Sequence, residues 1–562
     1  MSDVDLDNNQ RLPTNEPNTG QRLPTEDDIQ KEAVSGTNFI TRLFPVARAE
    51  YIYLLCGCGI FFCLTFVYSL LKITKNAIMA DTLDSSAIPY IKLLIVLPAN
   101  IFVVAYTQKL VGLSSVSRAF DIMVLFFSAV FLLYGIFFMK LEQIFNFIIN
   151  KYYTRDLFAD NKMAFIGLEW VYALYSMVNF PYVIFYYVLA ELHGSIVLQY
   201  LFWSLCNQFF TRRQSLRLSP VFIIAGNIAL FITNFVVEWL INKVKDAGSF
   251  SAARYWNLGG LFLCCILNTL GWLFKFWGEK RIFSVPIFTK TGTERTGARK
   301  VKVGISKAIE LIWSVRFVLL LSVSVLGYSV ISNFIETFAN RTAQTWGASQ
   351  GGEVKTKMQS LENKSAMGTA IATICLCLIP SHRLINNGFF SIYAYASCVL
   401  TTISVVCFLG LVAFNRFCLT YFGSMLNKNF IFSSMDTLIK VEAYLGCFFR
   451  TVQKVLKYAA FDIFKEALSM RIDATYRAIF KGVYDGQINK IGKAIGALIT
   501  IALNMIYTSK DITDSSTPVF LGTLIFALLW FVPTYILIKQ FNKSNASNTN
   551  IEPGWKGGKP LF

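Results

Sequence analysis

Residues 178–205 read VNFPYVIFYYVLAELHGSIVLQYLFWSL, and Glu191 stands in that run with His193 as its only neighbour that titrates near neutral pH. A bare charge at the centre of a bilayer costs about 3 kcal/mol on insertion scales, so it normally faces a water-filled cavity. Lys75, Glu336 and Lys481 are set in apolar surroundings in the same way, on segments far apart in the chain. Charges of both signs spread over several apolar segments imply a polar pathway through a membrane protein, the arrangement expected of a transporter.

Composition agrees. Only 15% of the 562 residues are charged and 54% are hydrophobic, whereas a soluble chain carries roughly a quarter charged residues. The net charge of +18 must therefore concentrate in loops, where it sets orientation. Nucleic-acid binding, the other common reading of a basic chain, is excluded because the basic residues flank spans rather than lining one soluble face. The twelve cysteines lie almost all in apolar runs and the chain has two histidines, so they read as small packing residues and not as a zinc site. The first fifty residues lack an early apolar core and are rich in acids, so neither a secretory signal nor a transit peptide is expected. QRLPT occurs twice, at 10–14 and 21–25, in a polar tail for which disorder is the expectation.

A spanning helix needs about 20 mainly apolar residues. Clear candidates are 51–71, 87–107, 119–139, 220–241, 255–277, 317–338, 388–414 and 519–538, and the stretch 173–209 holds the fourth span. Three weaker ones follow: 365–380 is short, 436–460 carries Lys440, Glu442, Arg450, Lys454 and Lys457, and 491–507 is eleventh in order. The total is twelve. Basic residues recur in alternate loops, most densely in 278–307, which puts both termini in the cytoplasm. The expected fold is an all-α membrane protein in a major-facilitator-like six-plus-six arrangement. Its parts are a cytoplasmic tail (1–48), a six-helix bundle (49–277), a basic linker (278–307), a second bundle (308–540) and a C-terminal tail (541–562). No strong repeat relates the halves, and a monomer is the default for this architecture.

Lys72 and Lys75 are three apart and share a helix face, which suits phosphate oxygens; a helix end whose lysines snorkel to headgroups reads the same way. Arg450, Lys454 and Lys457 form one basic stripe, compatible with a cavity wall or with an interfacial amphipathic helix. Glu191 and Glu336 pair with lysines, contact a nucleoside, or titrate as coupling groups. There is no G-x-x-x-x-G-K-[ST] loop, so P-loop ATP hydrolysis is excluded. Asn340-Arg341-Thr342 and Asn363-Lys364-Ser365 match glycan acceptors.

Five stretches in order, LLKITKNAIM with AIPYIKLLIVLPANI, AELHGSIVLQYLFWSLCNQ, AGNIAL, NFIETFANR, and KYAAFDIFKEALSM with FKGVYDGQINKIGKAIGALI, resemble the nucleotide transporters, the ATP/ADP translocases of plastids and intracellular energy parasites. The resemblance covers about residues 65 to 500. It implies twelve helices, no cofactor, and exchange of ATP and ADP, and it carries key charges onto Lys75, Glu191, Glu336 and Lys481. A Lys-Glu pair falls on Lys465-Glu466 and a following acid on Asp485. Lys72 and Asn76 replace the charged flanks of the first motif. The chain looks more like a parasite's (microsporidian-like) plasma-membrane carrier than a plastid or other organellar one.

The leading reading is an ATP/ADP antiporter importing host ATP. A proton-coupled net importer of ATP, GTP or NAD keeps the fold and makes a carboxylate the proton site. A multispan membrane enzyme is the alternative from another class, with Asp462, Glu466 and Asp473 as its loose acid cluster.

Overall fold

A computed structural model describes residues 26–35, 45–82, 87–152, 177, 180–209, 212–246, 250–281, 315–349, 354–379, 390–429, 435–472, 480–507 and 512–547. Every regular element among them is helical, as lipid demands, since a helix satisfies its backbone groups within itself. The long helices are α1 (Tyr51–Thr82), α2 (Ala87–Leu113), α3 (Val116–Tyr152), α4 (181–209), α5 (Arg212–Asp246) and α6 (Phe250–Arg281). After them come α7 (Arg316–Ser349), α8 (Val354–Cys377), α9 (390–429), α10 (435–469), α11 (480–506) and α12 (Ser516–Ser547).

The N-terminal tail, expected to be disordered, contains a helix. It spans Glu26–Val34, because Ile29 and Ala33, one turn apart, bury themselves against Ala47. Glu32 also accepts the backbone N–H of Arg48. Both QRLPT copies, most of the basic linker (282–307) and the last residues of the C-terminal tail (548–562) lie outside the described residues.

Most of the apolar core among the described residues falls into two clusters. One is drawn almost entirely from α1 to α6, the other almost entirely from α7 and α9 to α12, and a small third joins Ala343 of α7 and Ala443 of α10 to Met358 and Leu361 of α8. Between the two groups, α1 and α5 pack on α8, while α2 and α4 pack on α11. Close approach depends on small residues. Gly492 and Gly496 of α11 stand in G-x-x-x-G spacing against α7; a Cβ on Gly492 would lie 2.7 Å from Ser329 Cβ and 3.0 Å from the Leu326 carbonyl oxygen. Where lipid tails are as apolar as leucine, such backbone proximity supplies the packing that holds helices together.

Nine of the described helices are long and apolar enough to cross a membrane, against the twelve expected. The long helices that miss that measure are α8, α10 and α11, and they are the ones that carry Glu362, Arg450, Lys454, Lys457, Asp485, Lys490 and Lys493. Their polarity has a place to go, because these charges face the interior. On the outside, Leu55, Phe102, Ile506 and Leu528 are exposed, a surface suited to acyl chains.

The packing generates a prediction. Gly492→Val drives a branched side chain into the backbone of α7, an overpacking cost of about 1–3 kcal/mol. A thermal melt of the purified protein in detergent should show a lowered midpoint; an unchanged melt would disprove the close contact.

Candidate functional site

Helices α1, α4, α5, α8 and α10 enclose a cavity with about 900 Å³ of empty space, part of it open to solvent. Lys72 and Tyr68 reach it from α1, Gln199 and Trp203 from α4, and Lys454, Lys457 and Tyr458 from α10. Lys72 lies 5.6 Å from the centre of the Tyr68 ring and Lys457 lies 5.1 Å from that of Tyr458. None of Lys72, Lys454 and Lys457 forms an ion pair among the described residues. The cavity's carboxylates are already held, Glu362 by Arg450 at 2.8 Å and Asp462 by Lys465 at 3.2 Å. An unpaired ammonium taken out of water costs several kcal/mol. Three of them around one opening make it a site for water and anions.

Beside the cavity runs a network of ion pairs. Glu191 on α4 accepts from Lys75 on α1 at 2.5 Å and also pairs with Lys490 on α11. Lys75 additionally sits 3.9 Å from the centre of the Tyr187 ring. Glu336 on α7 is paired with Lys92 on α2 at 3.1 Å, and Lys92 donates to Asn333 at 2.9 Å. Arg450 stands 3.7 Å from Glu336 and donates to Asn340 and Glu362, each at 2.8 Å. Asn76 on α1 donates to Glu362. Lys493 stands three residues after Lys490 on α11, on the same face of the helix. The bonds Glu191–Lys490, Lys92–Glu336 and Asn76–Glu362 each join the first group of helices to the second.

A second cluster lies wholly within the second group. Lys481 donates to both oxygens of Glu466 at 2.6 Å, and Lys465 pairs with Asp485 at 2.7 Å. Lys481 also lies 5.6 Å from the centre of the Trp203 ring, at the cavity wall.

The backbone is shaped for these groups. Widened π turns occur at Lys92–Val96, Gly194–Phe202, Lys457–Phe461 and Gly482–Ile488; they start at Lys92 and Lys457 and include Asp485, and one begins just after Glu191. Such turns recur at functional sites because they re-aim side chains within a helix. Gly194 lets α4 approach α1: a Cβ there would lie 2.4 Å from the Tyr68 ring.

The residues singled out from sequence therefore divide. Lys72, Lys454 and Lys457 line the cavity; Lys75, Glu191, Glu336 and Arg450 form the network next to it; Lys481 and Asp485 belong to the second cluster. Snorkelling does not describe Lys75, which is 2% exposed, nor does an interfacial helix describe Arg450, at 5%. His193 turns away, bonded to Asn268 at 3.1 Å and packed edge-on against Phe127. The glycan reading fails, because Asn340 and Asn363 are buried in helices, the first against Arg450 and the second donating to the Asn234 carbonyl. Sequence reasoning missed Lys92, Glu362, Lys490 and Lys493. Lys92 had a signal, a lone lysine in the apolar run AIPYIKLLIV; Glu362 had none, in the polar stretch KTKMQSLENKS.

Comparison with known proteins matches residues 29–541 to the family described as TLC ATP/ADP transporter. ADP,ATP carrier protein 1 of Paranosema grylli is 33% identical over 94% of this chain and 95% of that protein. ADP,ATP carrier protein 1 of Encephalitozoon cuniculi (strain GB-M1) is 30% identical over 94% of each. ADP,ATP carrier protein 2, chloroplastic, of Arabidopsis thaliana is 27% identical over 86% of this chain and 73% of that one. Among solved structures, a bacterial homologue of the iron transporter ferroportin in its outward-facing state has a TM-score of 0.49 at 13% identity, covering 88% of this chain and 100% of that one.

The network predicts an asymmetry of stability. Glu191 serves two ammonium groups, whereas Lys75 serves one carboxylate that keeps Lys490. Breaking a buried pair by removing one partner costs about 3–5 kcal/mol, so Glu191→Gln should lower the melting temperature in detergent more than Lys75→Ala. The reverse order would show that Lys490 does not share the carboxylate.

Proposed function

The chain belongs to the TLC ATP/ADP transporter family, and on that premise we propose that it carries ATP inward in exchange for ADP, by alternating access around the cavity between its two halves. The observation that carries the reading is the set of unpaired cations, Lys72, Lys454 and Lys457, on the cavity wall. A nucleoside triphosphate is a polyanion with a planar base. Ammonium groups bind its phosphates as point charges, while Tyr68, Tyr458 and Trp203 offer rings for the base.

In this mechanism Glu191 and Glu336, through Lys490 and Lys92, hold the two halves together around the unliganded site, and Lys75 and Arg450 fix the two carboxylates from within their own halves. Phosphate competes with the carboxylates for their cations and loosens the bonds that join the groups of helices. Binding energy differing between the two closures is what shifts their populations. Lys481 and Asp485, each with its own partner, keep α10 and α11 in place beside the substrate. The halves are 49–277 and 308–540, each of six spans, with α8, α10 and α11 crossing the membrane as polar, cavity-lining helices. The carrier works as a monomer, since the cavity and both charge clusters are built from one chain. We place it in a parasite's cell membrane, termini in the cytoplasm; the alternating basic loops support the orientation, and an identity of 33% to the Paranosema grylli carrier against 27% to the chloroplastic one supports a membrane other than a plastid's.

The test is uptake of radiolabelled ATP into proteoliposomes, with and without internal ADP. Strong stimulation by internal ADP is expected, and uptake indifferent to internal nucleotide would sink exchange in favour of net import. Lys72→Gln should raise the KM for ATP by about tenfold, equivalent to about 1.4 kcal/mol, with folding intact. An unchanged KM would remove Lys72 from the phosphate site.

A further inference from the structure

Glu362 on α8 combines three contacts that no other residue of the network combines among the described residues. It lines the cavity and is 8% exposed. Arg450, from its own half, donates to its Oε1 at 2.8 Å. Asn76, from the other half, donates to both carboxylate oxygens, at 3.0 and 3.2 Å. One carboxylate thus meets the cavity, holds the adjacent guanidinium and ties the halves. Arg450 is not saturated: its Nε and Nη2 have no hydrogen-bond partner although the side chain is buried, the Nη2 facing Glu336 only at 3.7 Å. Four residues further along α10, Lys454 lines the cavity without an ion pair.

We propose that Glu362 is the coupling carboxylate of the exchange, through which arriving phosphate releases the tie between the halves; the inference rests on the reading above that nucleotide phosphates occupy this cavity. A phosphate drawn to Lys454 meets the open donors of Arg450 and places its own charge beside Glu362. Like charges repel most strongly where water is excluded, and the guanidinium is now shared among Glu362, Glu336 and the phosphate. Glu362 loses its hold on Arg450 and yields the bonds from Asn76. With the cavity empty, Arg450 keeps Glu362 on Asn76, and the halves do not swing. A carrier that moves only when loaded exchanges one nucleotide for another and does not leak.

Glu362→Gln and Asn76→Ala test this in proteoliposomes, by initial rates of labelled ATP uptake with and without internal ADP. Asn76→Ala leaves the Arg450–Glu362 pair intact and removes only the tie. In both variants the factor by which internal ADP stimulates uptake should fall towards one, because uptake into empty vesicles rises. Wild-type stimulation in both variants overturns the proposal. Should Glu362→Gln not fold, Asn76→Ala alone decides, leak supporting the proposal and wild-type coupling overturning it. Loss of uptake in both, with ATP still raising their melting temperatures, overturns it as well, since an untied carrier must move more freely. Absence of ATP uptake by the wild-type protein is a separate result, and it strikes the proposed function itself.

Discussion

A charge withdrawn from water into a helical bundle must find a partner, and the architecture of this protein follows from how its interior charges are matched. Glu191 lies between Lys75 and Lys490, and Glu336 lies between Lys92 and Arg450. Two of these pairs, Glu191–Lys490 and Glu336–Lys92, link helices from opposite groups, so the contact between the groups is partly ionic. That choice has a mechanical consequence. An apolar seam of similar size has no alternative partner for its surface except water, which it avoids. An ion-pair seam can trade a carboxylate for a phosphate and keep its cation paired, and the released carboxylate is compensated by a second cation, as Glu191 and Glu336 each have, or by water entering the cavity. Reversible opening is therefore available to this interface.

The same accounting explains why the cavity is basic. Its carboxylates are spent on Arg450 and Lys465, which leaves Lys72, Lys454 and Lys457 facing the opening. The cations sit on α1 and α10, one helix from each half, so a single anion can bridge the two. Aromatic rings beside them accept the flat part of a nucleotide without adding charge. The outward faces of the bundle carry the compensating apolarity, and the π turns let charged positions reach the interior without breaking the helices that hold them.

Legibility from sequence followed contrast. Lys75, Glu191 and Glu336 were visible because each interrupts an apolar run. Glu362, Lys490 and Lys493 lie in segments whose mixed polarity matches that of a surface helix, so nothing marked them as interior. The two glycan-type tripeptides failed for the converse reason: Asn340 and Asn363 have the right local pattern, but both are buried. The tail helix Glu26–Val34 was masked by its acids, since only two apolar residues, Ile29 and Ala33, carry its packing.

Taken alone, the sequence determined that this is a helical membrane protein with interior charge, which of its residues carry the most improbable charges, and which family it belongs to. These follow from local quantities: the apolarity of a window, the cost of a charge within it, and motif order. Only the tertiary structure decided the pairings, that Glu191 takes two lysines, that Glu362 bridges Asn76 and Arg450, and that three cations are left for the cavity. Partners separated by hundreds of residues meet through helix packing, and a charge pair depends on distance in space, which no local pattern encodes.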